Sequence, residues 1–518
     1  MTSAGPSSRG GTVDTEESEP RLTSRDIGRR AASGAALLTA KSTFTQVLGL
    51  LSTIVVTRQL IPSQLGLYAI ALTISTFLLI FGNGVGTAGA LIRRPAVPEH
   101  ADLQAYVAFQ LIASVALVAV VILATRPFGL VGQLTAVMIL SAPITAFRGA
   151  GLVVLERQLL YKRIATAETA EMTIYYVWTV VTVVIGWGLW GLATATIARA
   201  VVGTAFIVAL APTGIVWPRY DRRRIRAVLG MGLRVQAVDI VGAVRDQILV
   251  LGTAAIGSVS IVAYWGLVLR VLQAPQSLLT SLVRVTFPAM SRTRSAGRDP
   301  SSMLPRLLPA ATILTGVLLA PLASAPALVP LLFKSDWSPA ADALTLTCLA
   351  IVIHAPVVIA GQSYLWTAGD AKLPLRAQIA DAVVVVAVGL PLVPIIGVLG
   401  LAVGGVVCAI VHTTILARAV DRHTDVHVLR QIRVPVLAWM VAAGVAWGCA
   451  QGPGPLALRA VLSSCIALGL YLGLLFLTRR ELMLGLVGEC SPWIRRHVLH
   501  RRPTAGAMSA QAWGPPSG

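Results

Sequence analysis

Runs of about twenty apolar residues, separated by short charged or Pro/Gly-rich breaks, recur along the whole 518-residue chain. They dictate its class of fold. A helix needs ~20 mostly apolar residues to cross hydrocarbon, where every backbone polar group must bond within its own segment. Segmenting at the breaks predicts fourteen spans, at 37–57, 67–91, 105–125, 129–147, 171–189, 191–211, 229–254, 259–287, 308–332, 341–366, 377–396, 398–418, 434–450 and 457–478. Charged residues make up 12% of the chain and mean hydropathy is +0.78, whereas about a quarter of a soluble domain is charged. The chain reads as an all-α polytopic membrane protein.

The net charge of +20 raises the question of a nucleic-acid partner, but the basic residues lie in short clusters between apolar runs rather than on one polar domain. They read as topology signals, and no nucleic-acid partner is expected. With a cytoplasmic amino terminus, loops after even-numbered spans and their flanks hold twenty-one Lys and Arg, against four on the opposite side. Both termini are therefore predicted to be cytoplasmic. Residues 1–35 are too polar for a signal peptide, whose apolar core is ~7–15 residues long, and read as a disordered tail. Residues 479–518 mix an apolar stretch with arginines and Trp493, which predicts an interfacial helix or a solvated tail.

The chemistry of catalysis is missing from the pattern. No Walker A loop, no Ser/His/Asp order and no loop able to hold a soluble catalytic domain is found, so neither an enzyme nor a cofactor is expected. The five cysteines have no close pairing and imply neither a disulfide frame nor a metal site. His423 and His427 are spaced as HxxxH, but Asp425 would point away and no third ligand is evident. His354 and His412, each alone in an apolar segment, read as buried packing residues.

Charges inside the spans carry the functional signal, because a charge at the bilayer centre costs at least ~2.5 kcal/mol. The seventh span contains GLRVQAVDIVGAVRDQILVLG, with Arg234, Asp239, Arg245 and Asp246. At ~100° per residue, Arg234 and Arg245 share one row and Asp239 and Asp246 a second, leaving an apolar arc for lipid. On the eighth span Arg270, Gln273, Ser277, Thr280, Ser281 and Arg284 fall in one arc, which Pro275 interrupts. Lys41, Thr45 and Ser52 on the first span, Gln110 on the third, Arg199 on the sixth, and Gln378 and Asp381 on the eleventh add smaller contributions. Together they predict a polar cavity inside a helix bundle; the competing reading has Lys41, Arg234 and Arg284 snorkelling and Asp246 in a structural ion pair. Arginines in excess of carboxylates suit a phosphate-bearing substrate, since guanidinium forks match phosphate oxygens.

The first two spans, LGLLSTIVVTRQLIPSQLGLYAIALTISTFLLIFGNGVGTAGALIRRP, resemble the polysaccharide transporter family (O-antigen and exopolysaccharide flippases) of the multidrug/oligosaccharidyl-lipid/polysaccharide exporter superfamily. Arg58, Leu60, Pro62, Leu65, Gly66, Leu67 and Tyr68 match the family pattern, as do Leu91, Ile92 and Arg93. GWGLWGLATATIARAVVG adds a similar turn, and Asp246, Gly252, Tyr264, Arg270, Pro275, Phe287, Pro288 and Ser291 extend the likeness through the eighth span. Arg245 departs from it, standing where members often carry Asn, and beyond the twelfth span the likeness is hydropathic. PSQLGLY from Pro62 and GSVSIVAY from Gly257 echo one another six spans apart, as parallel repeats would.

The resemblance implies two six-helix lobes around a central cavity, at 36–212 and 229–420, joined by a basic linker at 213–228 and followed by two further helices at 421–478. It implies a flippase in the bacterial cytoplasmic membrane that translocates a polyprenyl-diphosphate-linked glycan, with a polysaccharide polymerase or glycosyltransferase as the expected class of protein partner. Arg234, Asp239, Arg245, Asp246, Arg270, Arg284, Arg199 and Lys41 are the candidate cavity residues. A lipid II flippase, a drug or metabolite antiporter of the same superfamily and a membrane-embedded glycosyltransferase are the other classes weighed; the last should carry a large polar loop, absent here.

Overall fold

A computed structural model describes residues 24–82, 88, 91–92, 98–226, 247–370 and 372–480; for 24–40 and 81–82 only the backbone is described. The described residues are almost all helical, joined by short turns apart from a longer irregular stretch at 211–221. In the N-terminal half these are α1 (Ser24–Gln59), α2 (Pro62–Gly82), α3 (His100–Ala124), the broken run α4 (Gly129–Ile139), α5 (Ser141–Ala146) and α6 (Arg148–Arg157), then α7 (Tyr161–Val184) and α8 (Leu189–Leu210). After a short helix at Gln247–Ile256, the C-terminal half contains α9 (Val259–Ser295), α10 (Leu304–Leu319), α11 (Ala325–Phe333), α12 (Pro339–Pro356), α13 (Ser363–Ala368), α14 (Lys372–Val384), α15 (Leu390–Ile396) and α16 (Val398–His423). Two more, α17 (Val428–Ala450) and α18 (Leu456–Thr478), close the described chain.

Ten of these segments are long and apolar enough to cross a membrane. Three more of the expected spans coincide with α1, α7 and α9, which are long helices whose charged residues lower their hydropathy. Most of the seventh expected span, with Arg234, Asp239, Arg245 and Asp246, lies outside the described residues, as does 481–518 with its expected interfacial helix.

Two boundaries differ from expectation for a physical reason. Residues 24–35, expected in a disordered tail, are the first turns of α1, because the Ala-rich run AASGAALL favours helix and carries it beyond the apolar span. The fifth span was expected from residue 171, yet α7 begins at Tyr161 and includes Glu168. A carboxylate reads as a span boundary until its partner is known. Pro275 does not end α9, which continues through it to Ser295.

In lipid, helices associate by close packing rather than by hydrophobic exclusion. In the C-terminal half, Trp337, Phe333, Trp439 and Tyr471 are buried in one cluster drawn from α9, α11, α12, α16, α17 and α18. A smaller cluster of Val56, Leu60, Tyr68, Leu134, Met138 and Val183 packs the N-terminal half. The two halves meet where α2 crosses the start of α9. There a Cβ on Gly66 would fall 2.0 Å from the backbone oxygen of Val259, which explains the glycine in the GLY motif. Gly66→Val is expected to separate these helices and to lower the yield of monodisperse protein several-fold in fluorescence-detected size-exclusion chromatography; a normal yield would show that the crossing tolerates a side chain.

The basic linker is held by charge. Arg224 bonds Glu99 at 2.8 Å and Asp102 at 2.7 Å, fastening the segment to the start of α3.

Candidate functional site

Two cavities follow one another along α1. The first, about 320 Å³, is lined by Lys41, Thr45 and Gln46 of α1, by Arg148 of α6, by Glu168, Glu171 and Tyr176 of α7, by Arg199 of α8 and by Gln273 of α9. The second, about 270 Å³, lies one to three turns further along α1, among Ser52, Thr53, Tyr68, Tyr175, Tyr176, Arg270 and Trp337. Tyr176 belongs to both walls, and the Arg270 side chain meets it there.

Arg270 forms the septum. It donates from Nη2 to the Tyr176 hydroxyl at 2.6 Å, from Nη1 to Gln273 at 2.6 Å and from Nε to Thr53 at 3.3 Å. Its guanidinium carbon sits 5.2 Å from the Tyr176 ring centroid, within cation–π range. A Cβ on Gly49 would lie 2.0 Å from Nη2 and 2.8 Å from the Tyr176 hydroxyl, so the missing side chain on α1 makes room for the contact. Since Arg270 comes from α9 and its partners Thr53 and Tyr176 from α1 and α7, the septum spans the two halves. Gln46 adds a second bridge, donating to Ser277 at 2.7 Å.

The first cavity is basic but internally compensated. Glu171, with 7% of its side chain exposed, accepts from Arg148 Nη1 and from Arg199 Nε, both at 2.7 Å. Lys41 pairs with Glu168. Three cations against two carboxylates leave a single excess positive charge, and Arg270 adds another at the septum. A buried carboxylate between two guanidiniums offsets their mutual repulsion, while each guanidinium retains further donors that an anion could use.

The far end of α1 is fastened to the C-terminal half. Arg58 donates to the carbonyls of Leu332 and Leu331 at 3.0 and 2.9 Å, and Trp337 Nε1 donates to Thr57 O at 3.1 Å. These bonds tie α1 to the segment 331–337. At the other end an apolar groove of about 680 Å³, lined by Phe44, Ala165, Thr169, Ile174 and Val177, runs between α1 and α7 and shares Lys41 with the first cavity.

Of the expected cavity residues, Lys41, Arg199 and Arg270 therefore meet around α1 and α7, with Thr45 and Ser52 beside them. Arg284 is exposed and lines neither cavity. Gln110 bonds Tyr106 at 2.9 Å within the N-terminal half. Asp381 pairs with His412 at 2.6 Å, away from both cavities. Arg234, Asp239, Arg245 and Asp246 lie outside the described residues. Sequence reasoning missed Glu168, Glu171 and Tyr176, and it counted Arg148 only as a topology signal. The available clue was ETAEMTIYY, an i,i+3 carboxylate pair leading without a break into an apolar helix.

A divided polar cavity, walled by helices of both halves, is what this multi-pass bundle builds, and solved structures of two transporters share its fold. The lipid II flippase MurJ in an inward closed conformation matches with a TM-score of 0.69 at 15% identity, over 86% of this chain and 100% of that one. An inward-facing multidrug resistance MATE-family transporter of the MOP superfamily matches at 0.55 and 18% identity, over 73% of this chain and 95% of that one. No curated protein matches the sequence. The family model described as "Polysaccharide biosynthesis protein" matches residues 55–342, and the chain belongs to that family.

Proposed function

We propose that this chain is a flippase that moves polyprenyl-diphosphate-linked oligosaccharide repeat units across the bacterial cytoplasmic membrane for surface polysaccharide biosynthesis, with both termini in the cytoplasm. One observation carries the reading: Lys41 lines both the basic cavity and the apolar groove between α1 and α7. A ligand with an anionic head and a long apolar tail fits that junction. Its head would meet Lys41, Arg148 and Arg199 while its tail stayed in lipid between the helices. Membership of the polysaccharide biosynthesis family supports the glycan part of the reading.

In this scheme the diphosphate competes with Glu168 and Glu171 for their cations, and Arg270 receives it as the septum opens. Rocking of the halves about the midplane site then exposes it to the other side. A polymerase or glycosyltransferase would supply or consume the repeat unit on either face. No bond is made or broken by the transporter itself.

Deletion of the gene is expected to trap lipid-linked repeat units facing the cytoplasm and to abolish a surface polymer, as read by lipid-linked glycan profiling. The fold shared with a lipid II flippase supports a second reading. Accumulated peptidoglycan precursor with intact surface polymer would select it, and unchanged glycolipids with altered drug sensitivity would sink both in favour of an antiporter.

A further inference from the structure

The second cavity has a wall unlike that of the first. Where the first sets cations against carboxylates, the second, about 270 Å³, is lined by four aromatic side chains, Tyr68 of α2, Tyr175 and Tyr176 of α7, and Trp337 just before α12. Hydroxyl side chains of α1 and α7 lie between them, and Arg270 is the single charged residue among the described ones of this wall. Each of its three nitrogens is already bonded, to Thr53, Gln273 and Tyr176.

The rings are held in place by one another. Tyr175 stands edge-on to Tyr176 with centroids 5.2 Å apart and planes at 70°. Trp337, whose Nε1 donates to Thr57 O, stands edge-on to Tyr264 at 5.9 Å and 87°. The Tyr68 and Tyr175 hydroxyls are 2.8 Å apart. One bond between two hydroxyls uses one proton, so the pair keeps a second O–H and further lone pairs.

A hydroxyl without a partner gives the second, independent observation. On α7, Thr166, Thr169, Thr173 and Thr182 each donate to the carbonyl four residues earlier, at 2.9, 2.7, 2.8 and 2.7 Å. That is how a threonine inside a helix satisfies itself. Thr179 departs from its neighbours. It lines the second cavity, is 4% exposed, and its buried Oγ1 has no hydrogen-bond partner. An orphaned buried polar group costs free energy and calls for an explanation, which a ligand with its own donor or acceptor supplies.

Aromatic faces and unspent hydroxyls together suit a pyranose ring. The axial C–H bonds of such a ring form an apolar face that packs on the negative face of an aromatic ring. Its equatorial hydroxyls donate and accept, as those of Tyr and Thr do. A wholly apolar ligand would leave Thr179 unpaired, and a phosphate is better served by Lys41, Arg148 and Arg199 in the first cavity. The volume falls at the small end of ligand pockets, ~300–1,000 Å³, which suits about one or two rings rather than a long glycan.

The order of parts along the ligand matches the order of sites along α1. The apolar groove and the first cavity share Lys41, and the second cavity begins at Ser52. From Thr45 to Ser52 a helix rises ~10 Å, comparable with the length of a diphosphate ester. With its tail in the groove and its diphosphate in the first cavity, the ligand projects its glycan toward the second. Only the Arg270–Tyr176 septum lies between.

We propose that the second cavity is a sugar subsite, in which a pyranose ring stacks on the aromatic wall and bonds the Thr179 hydroxyl while the diphosphate is held in the first cavity. This rests on the flippase reading and adds which part of the ligand passes the septum first. Full-length protein in nanodiscs is titrated calorimetrically with farnesyl diphosphate, and with the same lipid carrying one glucose, galactose, N-acetylglucosamine or glucuronate ring on its diphosphate.

At least one glycosylated lipid is expected to bind about tenfold tighter than the bare lipid. Thr179→Val exchanges the hydroxyl for a methyl group of the same shape and should lower that ratio about two- to tenfold, as for one lost hydrogen bond. Tyr68→Phe keeps its ring, should lower the ratio likewise, and serves should Thr179→Val not fold. Lys41→Gln should weaken both lipids alike. A bare lipid that binds as tightly as all four glycosylated forms, or a ratio that neither variant lowers, would overturn the sugar subsite and leave the flippase reading intact. Binding of neither the bare nor any glycosylated lipid would sink that reading and the subsite with it.

Discussion

Replacing Glu171 with Ala is expected to cost roughly 3–5 kcal/mol of stability, the typical penalty when one partner of a buried ion cluster is removed. The carboxylate has 7% of its side chain exposed and holds both Arg148 and Arg199 at 2.7 Å, so its loss leaves two guanidiniums repelling one another inside the bundle. Thermal unfolding of the purified protein should show the drop, and Glu171→Gln, which keeps a hydrogen-bond acceptor, should fall between it and the wild type. Removing all three charges together, as Arg148→Met, Glu171→Met and Arg199→Met, should recover much of the stability and still abolish transport. A stable and active triple variant would place the cluster among purely structural contacts.

The second large effect is expected at Arg270. A charge-assisted contact contributes about 1.5–3 kcal/mol, so Arg270→Gln should reduce transport about 10- to 100-fold. The folded yield should change little, because the side chain is only partly buried, Thr53 also donates to Gly49 O at 2.8 Å and the Tyr176 ring also packs on Tyr175. Arg270→Lys should recover part of the rate, since it keeps the charge but cannot reproduce the fork to Tyr176 and Gln273. Transport measured in reconstituted vesicles, with membrane levels matched, separates the two variants. Full activity in Arg270→Gln would make the septum a packing feature.

The septum and the carboxylates behind it were not equally legible. Arg270 was found because it lies on one polar arc with Gln273 and Ser277, and helical period alone puts those residues on one face. Lys41 and Arg199 were found as cations out of place in apolar runs, but their partners were lost. Glu168 falls outside the expected fifth span, since a charge marks the end of a span unless another helix neutralises it, and that helix is more than a hundred residues away for the Lys41 pair. His354 and His412 are each solitary in the sequence for the same reason. They are 58 positions apart and meet only because α12 packs on α16. Gly66 was matched as a motif residue, and its cause became visible only with Val259 beside it.

What the chain determined by itself was its class and its candidate charges. Hydrophobic run length and helical period are local quantities, set by the cost of unpaired backbone in lipid and by 3.6 residues per turn. Only the tertiary structure decided which charges neutralise which, where the cavity divides and which histidine meets which carboxylate. Those pairings join helices remote in sequence, and their energies depend on distances and burial that no local pattern encodes.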